Sequence, residues 1–155
     1  MTNSLMTRRN AILATGAAVI SLAANGAASA GPLPALKAYR NPGCGCCEKW
    51  AASLVAAGFQ IEMFDDPELD KRRAAAGVPA EIAGCHTAYV GNFIIEGHVP
   101  AADIIRFIAE KPEARGLAVV GMPVGSPGME MDGTKEPFDV LLFTAQGKWQ
   151  VYASH

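Results

Sequence analysis

Three of the chain's four cysteines fall within four consecutive positions, Cys44, Cys46 and Cys47, in the stretch Asn41-Pro42-Gly43-Cys44-Gly45-Cys46-Cys47-Glu48-Lys49-Trp50. A short strand pattern, Leu36 to Arg40, runs into this stretch. An amphipathic helical pattern, Cys47 to Ala57, runs out of it and stops at Gly58. The thiols are therefore expected at a strand-to-helix turn. There the unpaired N–H groups of the first helical turn, and the positive end of the helix dipole, favour thiolate over thiol. Successive helical positions differ by about 100°. The spacing thus predicts that Cys44 and Cys47 face each other while Cys46 points to one side.

The neighbouring patterns complete an alternating order. Phe59 to Phe64 alternates apolar and polar and reads as a strand. Asp65 or Asp66 can cap a second helix with Pro67 at its first position and Gly77 at its end. Thr87–Val90 and Phe93–Glu96 flank Gly91-Asn92, a tight-hairpin signal. Ala101 to Lys111 carries Ile104, Ile105, Phe107 and Ile108 on one side and reads as a third helix. The order β-α-β-α-β-β-α, with Cys-x-x-Cys at the first strand–helix junction, predicts an α/β fold of thioredoxin-like type. Thioredoxin-like proteins keep a proline opposite the active-site cysteines, and here Cys85-His86 takes that place, setting a fourth sulfur across from the first three. Beyond this core, Pro112 to Gly133 reads as a Gly/Pro/Met-rich loop, long enough to be more than an idle connection. It is expected to fold back over the sheet edge or the cysteine turn. Asp139–Phe143 and Trp149–Tyr152 read as a final hairpin.

Residues 1–30 are expected to be a signal peptide: Arg8-Arg9, an apolar run from Ala11 to Ala24, and the cleavage pattern Ala28-Ser29-Ala30. The apolar run is shorter than the ~20 residues a spanning helix needs. Thr7-Arg8-Arg9-Asn10-Ala11-Ile12 also loosely fits a twin-arginine signal, so both the Sec and the Tat export routes stay open. Residues 31–155 would then form a single periplasmic domain with no membrane span. Without Arg8 and Arg9, eleven basic residues face fifteen acidic ones, a net charge of −4. No basic patch points to nucleic acid. A domain of this length can bury a real core, so disulfides are not obligatory for folding. In an oxidising compartment the cysteine spacing allows a local Cys44–Cys47 bridge and at most one long-range staple from Cys85.

Three thiolates fanned at a helix start, with Cys85 opposite, suit a soft metal ion held by Cys44, Cys46, Cys47 and Cys85. Zinc sites of four cysteines usually use two separated Cys-x-x-Cys knuckles, which leaves zinc the lesser fit and Cu(I) the better one. Met122, Met129 and Met131 offer soft thioethers in the loop, or serve as packing for the sheet. His86 is a candidate further ligand, and His98 fits a helix-cap role equally well. Trp50 is expected in the core or as a lid on the sulfurs. The alternative is a thiol–disulfide oxidoreductase with Cys44 as attacking thiolate and Cys47 as resolving thiol.

Asn-Pro-Gly-Cys-Gly-Cys-Cys-Glu-Lys-Trp at 41–50, Cys-His-Thr-Ala at 85–88, Glu-Gly-His-Val-Pro-Ala at 96–101 and Gly-Met-Pro-x-Gly-Ser-Pro-Gly-Met-Glu at 121–130 together resemble one family. It is the exported CopG-type family of bacterial copper resistance, formerly a domain of unknown function. The resemblance implies a thioredoxin-like fold that binds copper in the periplasm through Cys44, Cys46, Cys47 and Cys85. Copper ions are the expected partner, with other periplasmic copper-handling proteins as candidates.

Overall fold

The computed structural model describes residues 31–155, and the segment expected to be a signal peptide, 1–30, lies outside the described residues. The chain runs β1 (Leu36–Arg40), α1 (Gly45–Ala56), β2 (Ile61–Asp65), α2 (Leu69–Ala76), a 3-10 turn (Ala80–Ile82), β3 (His86–Val90) and β4 (Phe93–Glu96). It continues through α3 (Ala101–Glu110), β5 (Gly116–Ala118), β6 (Asp139–Phe143) and β7 (Trp149–Ser154). All seven strands join one mixed sheet in the order β2-β1-β3-β4-β5-β6-β7. β1 is parallel to β2 and antiparallel to β3. The β3–β4 hairpin turns at Gly91-Asn92 and pairs Thr87 with Glu96.

Alternation along the strands sorts the core into two faces. On one, Trp50 and Leu54 of α1 and Ile104 and Phe107 of α3 pack over Ile95 and Leu117. On the other, Ala76 of α2 and Ile82 pack with Ile94 and Ala118. Adjacent residues such as Ile94 and Ile95 thus serve opposite layers, as the two-residue strand period requires.

Among the elements, the structure departs from the sequence expectations most clearly in β5, α1 and α2. The segment 112–133 is not all loop, because β5 lies within it, parallel to β4 and antiparallel to β6. Its Gly-Leu-Ala run is too short to show any periodicity. Helix α1 starts at Gly45 rather than Cys47. Helix α2 starts at Leu69, because Asp66 spends Oδ1 on the Glu68 N–H (2.9 Å) and its other oxygen on Arg72, forming a turn instead of a helix cap. Gly77 ends α2 at φ 78°, as read from the sequence.

Candidate metal centre

The cysteine turn is braced from β1. Arg40 donates from Nη1 to the Cys44 carbonyl (2.9 Å), while its Nε bonds Asp65 (2.8 Å). Nη1 also pairs with Glu48 at 2.9 Å. Cys44 is the N-cap of α1 with extended backbone, φ −72° and ψ 94°. Cys44 and Cys47 are joined by a disulfide across a Cα separation of 5.5 Å, while Cys46 and Cys85 carry free thiols. The facing of Cys44 and Cys47 is as expected. The turning-away of Cys46 is not, since its Sγ lies 3.4 Å from that of Cys44. The 100° rule fails across this pair because Cys44 stands before the helix and is not on its wheel.

Cys85 arrives from the other side, in the segment leading into β3. Its Sγ lies 3.4 Å from Cys47 Sγ and 3.9 Å from Cys46 Sγ. The ligand atoms of Cys44, Cys46, Cys47 and Cys85 all lie within 4.8 Å of one another, and so do those of Cys85, His86 and His98. A helix N-terminus and a β-hairpin thus bring four sulfurs together, and two imidazoles gather around one of them, Cys85.

His98 is the residue the sequence reading undervalued. It does not cap α3, whose N-cap is Pro100. Its Nδ1 sits 2.7 Å from the Pro127 carbonyl and its Nε2 2.8 Å from Cys85 Sγ. A carbonyl can only accept, so Nδ1 carries the proton and Nε2 turns its lone pair to the sulfur. Metal-binding histidines are usually oriented this way, by a hydrogen bond from the other ring nitrogen. The sequence held a signal for this contact. A two-residue turn pairs positions equidistant from it, and six steps outward from Gly91 and Asn92 lie Cys85 and His98.

His86 is buried, with Nδ1 3.3 Å from Cys85 Sγ, Nε2 without a hydrogen-bond partner, and its ring tilted at 43° to that of Trp50, centroids 4.0 Å apart. Trp50 is core rather than lid, fully buried and bonded through Nε1 to the Val99 carbonyl at 2.9 Å. Burial pushes the Cys85 thiol far above its ordinary range, and the neighbouring Cys46 sulfur adds to this. Burial also holds His86 well below the usual imidazole range, with His98 and Arg73 lowering it further, and lowers His98. The pocket therefore disfavours charge on its own groups. A bound cation would supply the missing charge and favour the thiolates.

The Met-bearing loop folds back over the cysteine turn. Met122 Sδ lies 3.9 Å from Cys46 Sγ, while Met129 and Met131 line an open cleft beside Cys46. Gly128, at φ 87°, lies so close to α1 that a Cβ there would stand 2.7 Å from the Cys46 carbonyl and the Trp50 nitrogen. Thiols, thioether and neutral imidazole together form a donor set that fits a soft metal ion. Among the described residues, no helix is long and apolar enough to cross a membrane.

A family described as "Protein of unknown function, DUF411" matches residues 82–129, the segment from the end of the 3-10 turn to the loop over the cysteines. Two solved structures of a copper resistance protein CopG, forms 1 and 2, are similar to this chain at 37% and 36% identity. Each has a TM-score of 0.76 and is matched over 79% of this chain and 98% of its own. No curated protein matches the sequence.

Proposed function

The chain belongs to the family of the copper resistance protein CopG, and from that premise we propose that it is an exported protein that holds Cu(I) through Cys44, Cys46, Cys47 and Cys85. The observation that carries this reading is the convergence of four sulfurs within 4.8 Å at a partly buried, charge-averse site. Thiolate and thioether donors select Cu(I), which is content with two or three sulfurs and shares thiolates between ions. Zinc would require a closed tetrahedron, for which three ligands in four positions leave little chain.

In this reading His98 Nε2, 2.8 Å from Cys85 Sγ, is a further donor, and Met122 stands at the outer edge beside Cys46. Met129 lines the approach, and His86 supports Cys85 from behind. The strand order β2-β1-β3-β4, with parallel β1–β2 and two antiparallel pairings, supports a thioredoxin-like core, to which β5, β6 and β7 add the C-terminal extension. Residues 1–30 are the export signal of this reading, residues 31–155 its single periplasmic domain. Copper ions, delivered or taken by other copper-handling proteins there, are its cargo.

The Cys44–Cys47 disulfide favours a second component, redox exchange. Loading four thiolates requires that bond to be reduced, so two electrons separate the disulfide form from the fully thiolate one. A thiol–disulfide oxidoreductase would use Cys44 and Cys47 alone. The discriminating variant is therefore Cys46→Ser. Anaerobic titration of reduced protein against a Cu(I) chelator should show tight uptake that this variant weakens at least tenfold. Weak copper uptake that is indifferent to Cys46→Ser, with disulfide reductase activity lost in Cys44→Ser and kept in Cys46→Ser, would replace the copper reading by the enzymatic one.

A further inference from the structure

Glu96, at the end of β4, is fully buried and lies outside the sulfur cluster. Its carboxylate is gripped by three donors from separate parts of the chain. Oε1 accepts the Gly84 N–H and the Arg73 Nε–H, both at 2.8 Å, and Oε2 accepts the Thr87 hydroxyl at 2.6 Å. Arg73 of α2 then donates from Nη2 to the Gly84 carbonyl at 2.5 Å. One ion pair thus holds Gly84 by both its N–H and its C=O, a single residue before Cys85. Burying such a pair carries a desolvation cost that well-packed apolar side chains of the same volume would avoid, so packing alone does not account for it.

The gripped segment has one close neighbour. A Cβ on Gly84 would stand 2.5 Å from the Gly97 Cα, and one on Gly97 2.5 Å from the Val119 carbonyl. Two backbones cross here in contact. The residues that follow the two glycines are Cys85 and His98, whose Sγ and Nε2 meet at 2.8 Å. The Gly97 N–H reaches the His86 carbonyl at 2.9 Å, which continues the β3–β4 ladder up to the crossing.

We infer that Glu96, acting through Arg73 and Gly84, is the positioning residue that sets Cys85 against the other three sulfurs and His98. The inference rests on the copper-binding reading of that site and assigns Glu96 no contact with the metal. Removing the carboxylate in Glu96→Ala frees the Gly84 N–H and takes from Arg73 the partner that aims it at the Gly84 carbonyl, which lets Cys85 leave the cluster. Glu96→Gln keeps Oε1 for Gly84 and Arg73, and an amide N–H can donate to the Thr87 hydroxyl, so the geometry survives without the charge.

The test uses reduced full-length protein and two readouts. In metal-free protein, iodoacetamide alkylation of Cys85 is followed by peptide mass spectrometry. In copper-loaded protein, Cu(I) affinity is measured by chelator competition. Glu96→Ala should speed Cys85 alkylation at least tenfold and weaken Cu(I) binding about 10–100-fold, as loss of an outer-shell partner does. Glu96→Gln should recover most of both. Ile108→Ala, which removes partly buried packing from α3 away from the site, serves as a control for general destabilisation and should change neither. Should Glu96→Ala fail to fold, Arg73→Lys, which keeps the charge but not the fork that reaches Gly84, should give the same changes in smaller measure. Wild-type alkylation rates in Glu96→Ala, or equal losses in Ile108→Ala, overturn the inference. Wild-type protein that takes up no copper while Glu96→Ala still exposes Cys85 overturns the copper reading instead and leaves the clamp standing.

Discussion

The two site histidines give the pocket a pH signature of its own. His86 is held neutral by burial, then by His98 and Arg73, and His98 is lowered by burial. Both folded values lie below the unfolded value of about 6.5, so the unfolded chain binds more protons as pH falls past that point. Stability is therefore present above pH ~6.5 and lost below it. Between pH 7 and 5.5, His86 alone should cost metal-free protein about 1 kcal/mol. Urea unfolding at the two pH values should show this drop, and His86→Phe should remove much of it; a flat profile would mean that His86 takes up its proton in the folded state. At this scale the sequence was informative where a residue's role follows from spacing and silent where it follows from contact. Cys44, Cys46, Cys47 and Cys85 were readable from spacing and from their place in the strand order. His98 needed the register of the Gly91-Asn92 hairpin counted outward, and Cys46 needed the knowledge that Cys44 caps the helix instead of joining it. Glu96 gave no signal, since its partners Arg73 and Gly84 come from α2 and the segment before β3.

Among the elements, α1 and the β3–β4 hairpin do most to form the site, and the loop that follows β5 closes over them. That closure depends on Gly128, which sits at positive φ against the first turns of α1 and is held by the Glu130 carboxylate, 2.9 and 3.0 Å from its N–H. These bonds pull Glu130 below the ordinary carboxylate range. Gly128→Ala adds a Cβ where backbone already stands and imposes a conformation that L residues avoid, costing about 1–3 kcal/mol. Thermal unfolding should show the drop. Because Pro127 orients His98, Cu(I) affinity should fall with it, whereas unchanged affinity would mean that the loop does not orient the imidazole. The elements themselves were mostly readable, because hairpin, helix periods and terminating glycines are local features. β5 was not, since its three residues owe their strand form to β4 and β6 on either side. The start of α2 was misplaced for a related reason: Asp66 had a competing partner in Arg72.

On the scale of the whole molecule, a seven-stranded sheet with α1 and α3 on one face and α2 on the other fixes two distant parts of the sequence, residues 44–47 and 85, against each other. Burial disfavours charge on Cys85, His86 and His98, which fits the proposed role of the cluster as a receptacle for a soft ion. The Cys44–Cys47 disulfide ties up two of the four sulfurs, so under the copper reading proposed above uptake of Cu(I) would depend on the redox state of that pair. The most direct measurement is X-ray absorption on reduced protein loaded anaerobically with Cu(I), counting sulfur neighbours per copper in wild-type and Cys85→Ser protein. Two to three sulfur neighbours in the wild type, falling in Cys85→Ser, is the outcome that follows from four converging thiolates. Copper bound chiefly by nitrogen or oxygen, or a sulfur count indifferent to the loss of Cys85, would contradict it.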